Sequence, residues 1–218
     1  MNLARRAAAE AIGTALLLAI VVGSGIMAER LAGGNSAVAL LANSIATGTG
    51  LYVLIVTLGP ISGAHFNPVV SGVSAWAGEL SARACAVYVL VQIVGAFVGV
   101  AFAHAMFGLP LVQVSAHIRP TLGEGLGELI ATFGLVLVIL LVSRYRREAI
   151  PLAVASFITS AYWFTSSTSF ANPAVTLARS MTNTFAGISP DNVPLFIGGQ
   201  VAGSIAATAF TRWLSRPA

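Results

Sequence analysis

Long uncharged apolar runs are the feature that most limits what this chain can become. Of its 218 residues, 57% are hydrophobic and only 8% are charged, roughly a third of the charged fraction of a soluble domain. Six runs are long enough to cross a bilayer: about Ala8–Ala28, Ala37–Leu58, Arg83–Phe107, Gly123–Val142, Ile150–Ser167 and Val193–Leu214. In hydrocarbon every backbone N–H and C=O must find its partner inside the protein, which leaves helices or closed barrels. Runs this long, without two-residue alternation, give helices. The chain is therefore expected to be a polytopic all-α membrane protein. The first run is read as a retained span, because it is long for a secretory leader and is interrupted by Glu10. Pro151 suits the first turn of the fifth span, where no N–H is needed.

The formal charge of +4 comes entirely from arginine, since the sequence has no lysine. With both termini in the cytoplasm, Arg5, Arg6, Arg83, Arg144, Arg146, Arg147, Arg212 and Arg216 fall inside, and Arg30, Arg119 and Arg179 fall outside. Eight against three obeys the positive-inside rule. Arginines spread between spans form no single basic patch, which argues against a nucleic-acid partner. The lone cysteine, Cys85, can close no internal disulfide and is read as a packing residue. No metal site and no cofactor are expected.

The two halves resemble each other. "AEAIGTALLLAIV" from Ala9 matches "GELIATFGLVLVI" from Gly127, aligning Glu10 with Glu128 and Thr14 with Thr132. "VQIVGAFVGVAF" from Val91 matches "GQVAGSIAATAF" from Gly199, aligning Gln92 with Gln200 and Gly95 with Gly203. Each half carries three spans, and an odd number of crossings turns the second half upside down relative to the first. The whole of 1–218 is expected to be one domain, with repeat one at about 1–110 and repeat two at about 120–218.

Between the matches lie two polar interruptions, "SGAHFNPVVS" from Ser62 and "SFANPAVTLARS" from Ser169. Asn67–Ala77 and Asn172–Met181 are too short to span ~30 Å of hydrocarbon. Each opens with an asparagine suited to cap a helix and a proline suited to its first position, so each reads as a half-helix. Half-helices entering from opposite faces bring two N-termini, with their positive partial charge, to the bilayer centre. Backbone there must line a cavity. Such a point donates hydrogen bonds to neutral solutes and repels cations.

Paired Asn-Pro motifs in six spans, with "AEAIGT" near the start of the chain, resemble the aquaporin (major intrinsic protein) family over nearly the whole sequence. The resemblance implies six transmembrane helices plus two re-entrant half-helices as an inverted repeat. It implies a pore centre of Asn67, Pro68, Val69, Asn172, Pro173 and Ala174, with His65 lining the cytoplasmic side and Glu10 and Glu128 anchoring the loops. It also implies a homotetramer in a lipid bilayer, here a bacterial inner membrane, passing small neutral solutes.

Two positions depart from the family pattern. Val69 stands where the family usually has alanine. Val175 stands where it normally has the arginine of the outer constriction. Arg179 shares the face of Val175 by its four-residue spacing; it reaches the outer vestibule or, as the reading preferred at this point, snorkels to the interface. Counted by offset, the other constriction positions fall on Thr47, Ser160 and Ser169, giving a wide, neutral, hydroxyl-rich filter without an arginine. That filter would pass glycerol-like polyols and arsenous acid as well as water, similar to bacterial aquaglyceroporin-like channels associated with arsenic resistance. A water-selective channel is the alternative.

Two other classes are weaker. An intramembrane hydrolase would pair Ser24 with His65 or His104, but Ser24 between Gly23 and Gly25 also fits helix packing. An ion-coupled transporter would use Glu10 and Glu128, yet both equally suit a static role beside a half-helix. Gln92 and Gln200 are read as interhelical hydrogen bonders, and Tyr162, Trp163 and Trp213 as interfacial anchors. Thr165–Ser169 reads equally as vestibule or as a polar loop.

Overall fold

The computed structural model describes residues 1–215; Arg216, counted above among the inner arginines, lies outside them. The described chain forms eight α-helices: α1 (Leu3–Leu31), α2 (Ser36–Ser62), α3 (Pro68–Trp76), α4 (Ala82–Met106), α5 (Leu122–Tyr145), α6 (Ile150–Phe164), α7 (Pro173–Arg179) and α8 (Val193–Leu214). Short 3₁₀ turns, Arg147–Ala149 and Pro190–Asn192, precede α6 and α8. Local chemistry sets the helix starts. Asn2, Asn35 and Ser81 accept backbone N–H bonds at the starts of α1, α2 and α4, and Thr121 with Glu124 forms a capping box on α5. Asn67 and Asn172 cap α3 and α7 ahead of their prolines, as the sequence predicted.

Five helices, α1, α2, α4, α5 and α8, are long and apolar enough to cross a membrane. The remaining expected span, α6, is shorter than predicted: it ends at Phe164 after 15 residues, about 22 Å of rise. Thr165 is extended, and its hydroxyl takes the Ala161 carbonyl at 2.7 Å, which closes the helix. The chain then runs without helical structure to the start of α7.

Helix α1 packs on α4 and α2, α5 packs on α8 and α6, and α2 meets α6 between the two halves. The closest approaches follow the sequence repeat. A Cβ on Gly95 or Gly99 of α4 would strike the Ala11 or Ala15 carbonyl of α1, and one on Gly199 or Gly203 of α8 would strike the Gly125 or Leu129 carbonyl of α5. Without a hydrophobic drive between helices in lipid, such backbone-to-backbone contact is a main source of association. Gly95→Leu and Gly203→Leu should each destabilise the fold by about 3 kcal/mol. The loss would show as a lower Tm and reduced monodisperse yield in detergent. Gly198→Leu, where an added Cβ meets nothing within 4 Å, should leave both unchanged.

Candidate functional site

The two loops that enter the half-helices are built alike from buried carboxylates. Glu10 on α1 is fully buried and accepts from the backbone N–H of His65 at 3.0 Å and of Phe66 at 2.7 Å, from the Ser62 hydroxyl at 2.6 Å and from Gln92 at 2.8 Å. Glu128 on α5 accepts from the N–H groups of Phe170 and Ala171, both at 2.8 Å, and from Gln200 at 2.5 Å. Gln92 also donates to Ser71, and Gln200 to Thr176. The glutamines thus bridge α4 to α1 and α3, and α8 to α5 and α7.

These bonds hold the backbone in an unusual shape. Ala64 and Phe66 have φ of 52° and 48°, and Ser169 and Ala171 have φ of 51° and 46°. Left-handed backbone costs a non-glycine residue of order 1 kcal/mol or more. It occurs here one and three residues before each asparagine, so the two loops share one conformation.

The asparagines then join the halves. Each side-chain carbonyl caps its own half-helix: Asn67 Oδ1 accepts from Val69 N–H, and Asn172 Oδ1 accepts from the N–H groups of Ala174 and Val175. Each amide donates to the other loop, Asn67 Nδ2 to the Ala171 carbonyl and Asn172 Nδ2 to the Phe66 carbonyl, both at 2.8 Å. The left-handed turn at Phe66 and at Ala171 is what presents those carbonyls. Val69, Pro173 and Ala174 are buried around this junction.

A continuous cavity of about 690 Å³ runs past the junction. At the end nearer the chain termini it is lined by Gly63, His65, Arg147 and Glu148, at the centre by Asn67, Asn172, Leu51 and Ile158, and at the far end by Thr47, Tyr162, Ser169, Phe170, Val175 and Arg179. His65 is held by Ser71 at 3.1 Å and meets the Tyr88 ring edge-on. Neither Glu10 nor Glu128 lines the cavity.

The structure corrects three expectations at the far end. Ser160 does not face the lumen: it is exposed on α6 and bonds its own helix at the Phe157 carbonyl. The lumen face of α6 follows the four-residue steps Ile150, Val154, Ile158 and Tyr162, and Ser160 lies two residues off that face. Tyr162 is not an interfacial anchor. It is 3% exposed, and its hydroxyl donates to Thr47 Oγ1 at 3.2 Å. Arg179 does not snorkel to the interface. It is 2% exposed, with Cζ 3.4 Å from the Phe170 ring centroid and Nε donating to the Ala186 carbonyl. The far end therefore holds both rings and a charge, not hydroxyls alone. Ser169 from the hydroxyl run lines the cavity, and its Oγ has no partner.

Arg119, in the connection between α4 and α5, lies over Phe170 as well, with Cζ 5.3 Å from the centroid. Burial lowers its pKa from the ordinary arginine value. Sequence reasoning missed Phe170 and Arg119. The four-residue spacing on α6 was the one available signal for Tyr162.

Neither hydrolase pair forms among the described residues. Ser24 donates to the Ile20 carbonyl and accepts from Asn43, while His104 is held by Thr182 and the Leu111 carbonyl. No cluster of potential metal ligands occurs among the described residues.

The match to the major intrinsic protein family model covers residues 1–166. The chain belongs to the major intrinsic protein family. It is a transmembrane channel, not an enzyme. It is 54% identical to the aquaglyceroporin AqpS of Rhizobium meliloti over 217 residues, covering 100% of this chain and 93% of that one. It is 29% identical to the probable aquaporin AqpM of Archaeoglobus fulgidus, covering 99% of each. The fold matches the X-ray structure of the aquaglyceroporin from Plasmodium falciparum with a TM-score of 0.73, at 22% identity, covering 96% of this chain and 95% of that one. The family match ends before α7, the half-helix that carries Val175 and Arg179.

In this channel Glu128→Ala would leave two buried N–H groups without acceptors, at about 1–3 kcal/mol each. A lower Tm and loss of solute entry into proteoliposomes are expected. Glu128→Gln, which keeps one acceptor oxygen, should fall between the mutant and the wild type in both measurements.

Proposed function

We propose that the channel passes small uncharged hydroxylated solutes passively, with glycerol and arsenous acid as members of the class it admits. The observation that carries this reading is Val175. A short apolar side chain occupies the first turn of α7 facing the cavity, so the lumen there keeps the width that a long cation would fill. Around it stand Thr47 and Ser169, which line the same end of the cavity, the Thr47 hydroxyl accepting from Tyr162. Leu51, Ile55 and Ile158 line the cavity deeper in. A polyol presents hydroxyls on one side and carbon on the other, and a lumen with one polar stripe and one apolar wall suits both. The 54% identity to an aquaglyceroporin supports the same class.

Thr47, Ser169, Val175 and Arg179 form the outer filter in this reading. Asn67, Pro68, Val69, Asn172, Pro173 and Ala174 form the centre, His65 belongs to the inner approach, and Glu10 and Glu128 anchor the loops. Repeats of about 1–110 and 120–218 make one pore per subunit of a homotetramer. The excess of arginine on one side supports cytoplasmic termini in a bacterial inner membrane. Coupled transport is disfavoured because Glu10 and Glu128 bond loop N–H groups and stand away from the cavity.

A second reading, selective passage of water, draws support from Tyr162 and Arg179, which return a ring and a charge to the far end. Stopped-flow light scattering on proteoliposomes separates the two. Fast entry of water, glycerol and arsenous acid is expected for the wild type. Val175→Arg should cut glycerol entry by about ten-fold or more while water continues to pass. Water entry alone in the wild type would select the second reading, and a mutant indistinguishable from wild type would remove Val175 from the filter.

A further inference from the structure

We infer that Arg179 is the charge gate of the far mouth, a specificity-determining residue that holds out cations while Val175 leaves the lumen wide. The inference rests on the channel reading above, but not on which neutral solute passes.

The side chain is 2% exposed and lines the cavity. Burying a guanidinium is costly unless something replaces its water. A residue kept only for stability would meet a carboxylate. Arg179 has none: the single ion pair among the described residues joins Arg146 to Glu148, at 3.6 Å on the surface. Its support is the face of Phe170 and the Ala186 carbonyl, which takes Nε. The two Nη groups bond no acceptor among the described residues. The cation is therefore oriented by neutral groups and has no ion-pair partner beside the lumen.

A second guanidinium strengthens the field. Arg119 lies 5.3 Å from the same ring, held by the Gly187 carbonyl at 3.1 Å and the Ser167 carbonyl at 3.4 Å. Two like charges sharing Phe170 repel each other; Glu128 lies within Coulomb range of both and Glu124 of Arg119, yet neither forms an ion pair with them. A cation entering from this end meets Arg179 before it reaches the half-helix N-termini, whereas Arg119 does not line the cavity and acts only through its charge. A neutral triol meets only hydrogen-bond donors. Arg179 sits four residues beyond Val175, one helical turn further out, so charge and width are set by different residues.

The test compares sodium and methylammonium entry with glycerol entry in proteoliposomes holding wild type, Arg179→Gln or Arg179→Lys. Arg179→Gln should raise cation entry by about ten-fold or more, because one unit charge facing the path is removed. Glycerol entry is read in the same vesicles to show that the variant is inserted and open. Arg179→Lys, which keeps the charge, should hold cation entry near the wild-type level. If Arg179→Gln is folded and passes glycerol with cation entry unchanged, the residue only buttresses the loop and the inference fails. If Arg179→Gln does not fold, the wild type still decides. It should admit glycerol while excluding methylammonium, a smaller molecule, and comparable entry of the two would overturn the gate. Absence of glycerol entry together with a cation leak in Arg179→Gln would sink the polyol reading and leave the gate standing.

Discussion

The carboxylates of Glu10 and Glu128 carry the interaction on which the lumen depends, because they alone make the loop conformation affordable inside a membrane. Five non-glycine residues, Ala64, Phe66, Thr168, Ser169 and Ala171, hold left-handed backbone. Water cannot satisfy the N–H groups this shape leaves over. Four of those groups point at the two carboxylates instead. A bond from an N–H to a charged acceptor contributes about 1.5–3 kcal/mol, the same order as the strain it opposes. From that geometry follow the carbonyl directions at Phe66 and Ala171, the reach of each asparagine, and the meeting of the two half-helices.

The fold was readable in the sequence where its cause was local or repeated. Asn67-Pro68 and Asn172-Pro173 announced half-helices because cap and first-turn chemistry need only adjacent residues. Glu10 with Glu128, and Gln92 with Gln200, were legible as pairs because the repeat aligned them, and the structure puts both pairs against the loops. Positions fixed by how a helix is rotated were harder. On α6, lipid and lumen both accept apolar side chains, so no polar stripe tells one face from the other. An offset counted through the loop gave Ser160 where the helix presents Tyr162. The early end of α6 was hidden for a related reason: Thr165 and the residues after it are compatible with a helix until the tertiary bonds to Glu128 exist.

Arg179 shows a different limit. Its spacing from Val175 was plain, but its fate depended on Phe170, nine residues back in the chain, and on Ala186, seven residues on. Neither contact follows from periodicity. An arginine near a helix end in a membrane protein ordinarily extends to water. Here a ring and a carbonyl take over part of water's role, and the charge stays inside. Val175 and Arg179 thereby both line the far mouth, one turn apart on α7.

The cross-ties between the asparagines also bear on how the chain is made. Asn67 bonds a carbonyl 104 residues later in the chain, and Asn172 bonds one 106 residues earlier. During synthesis the first loop can bind Glu10 and Gln92 once α4 exists, yet its central amide has no mate until α7 emerges. The passage is thus the last part of the molecule able to close, after every membrane crossing but α8 has been laid down. A ribosome stalled midway would leave a bundle of helices in the membrane and not a half-open hole.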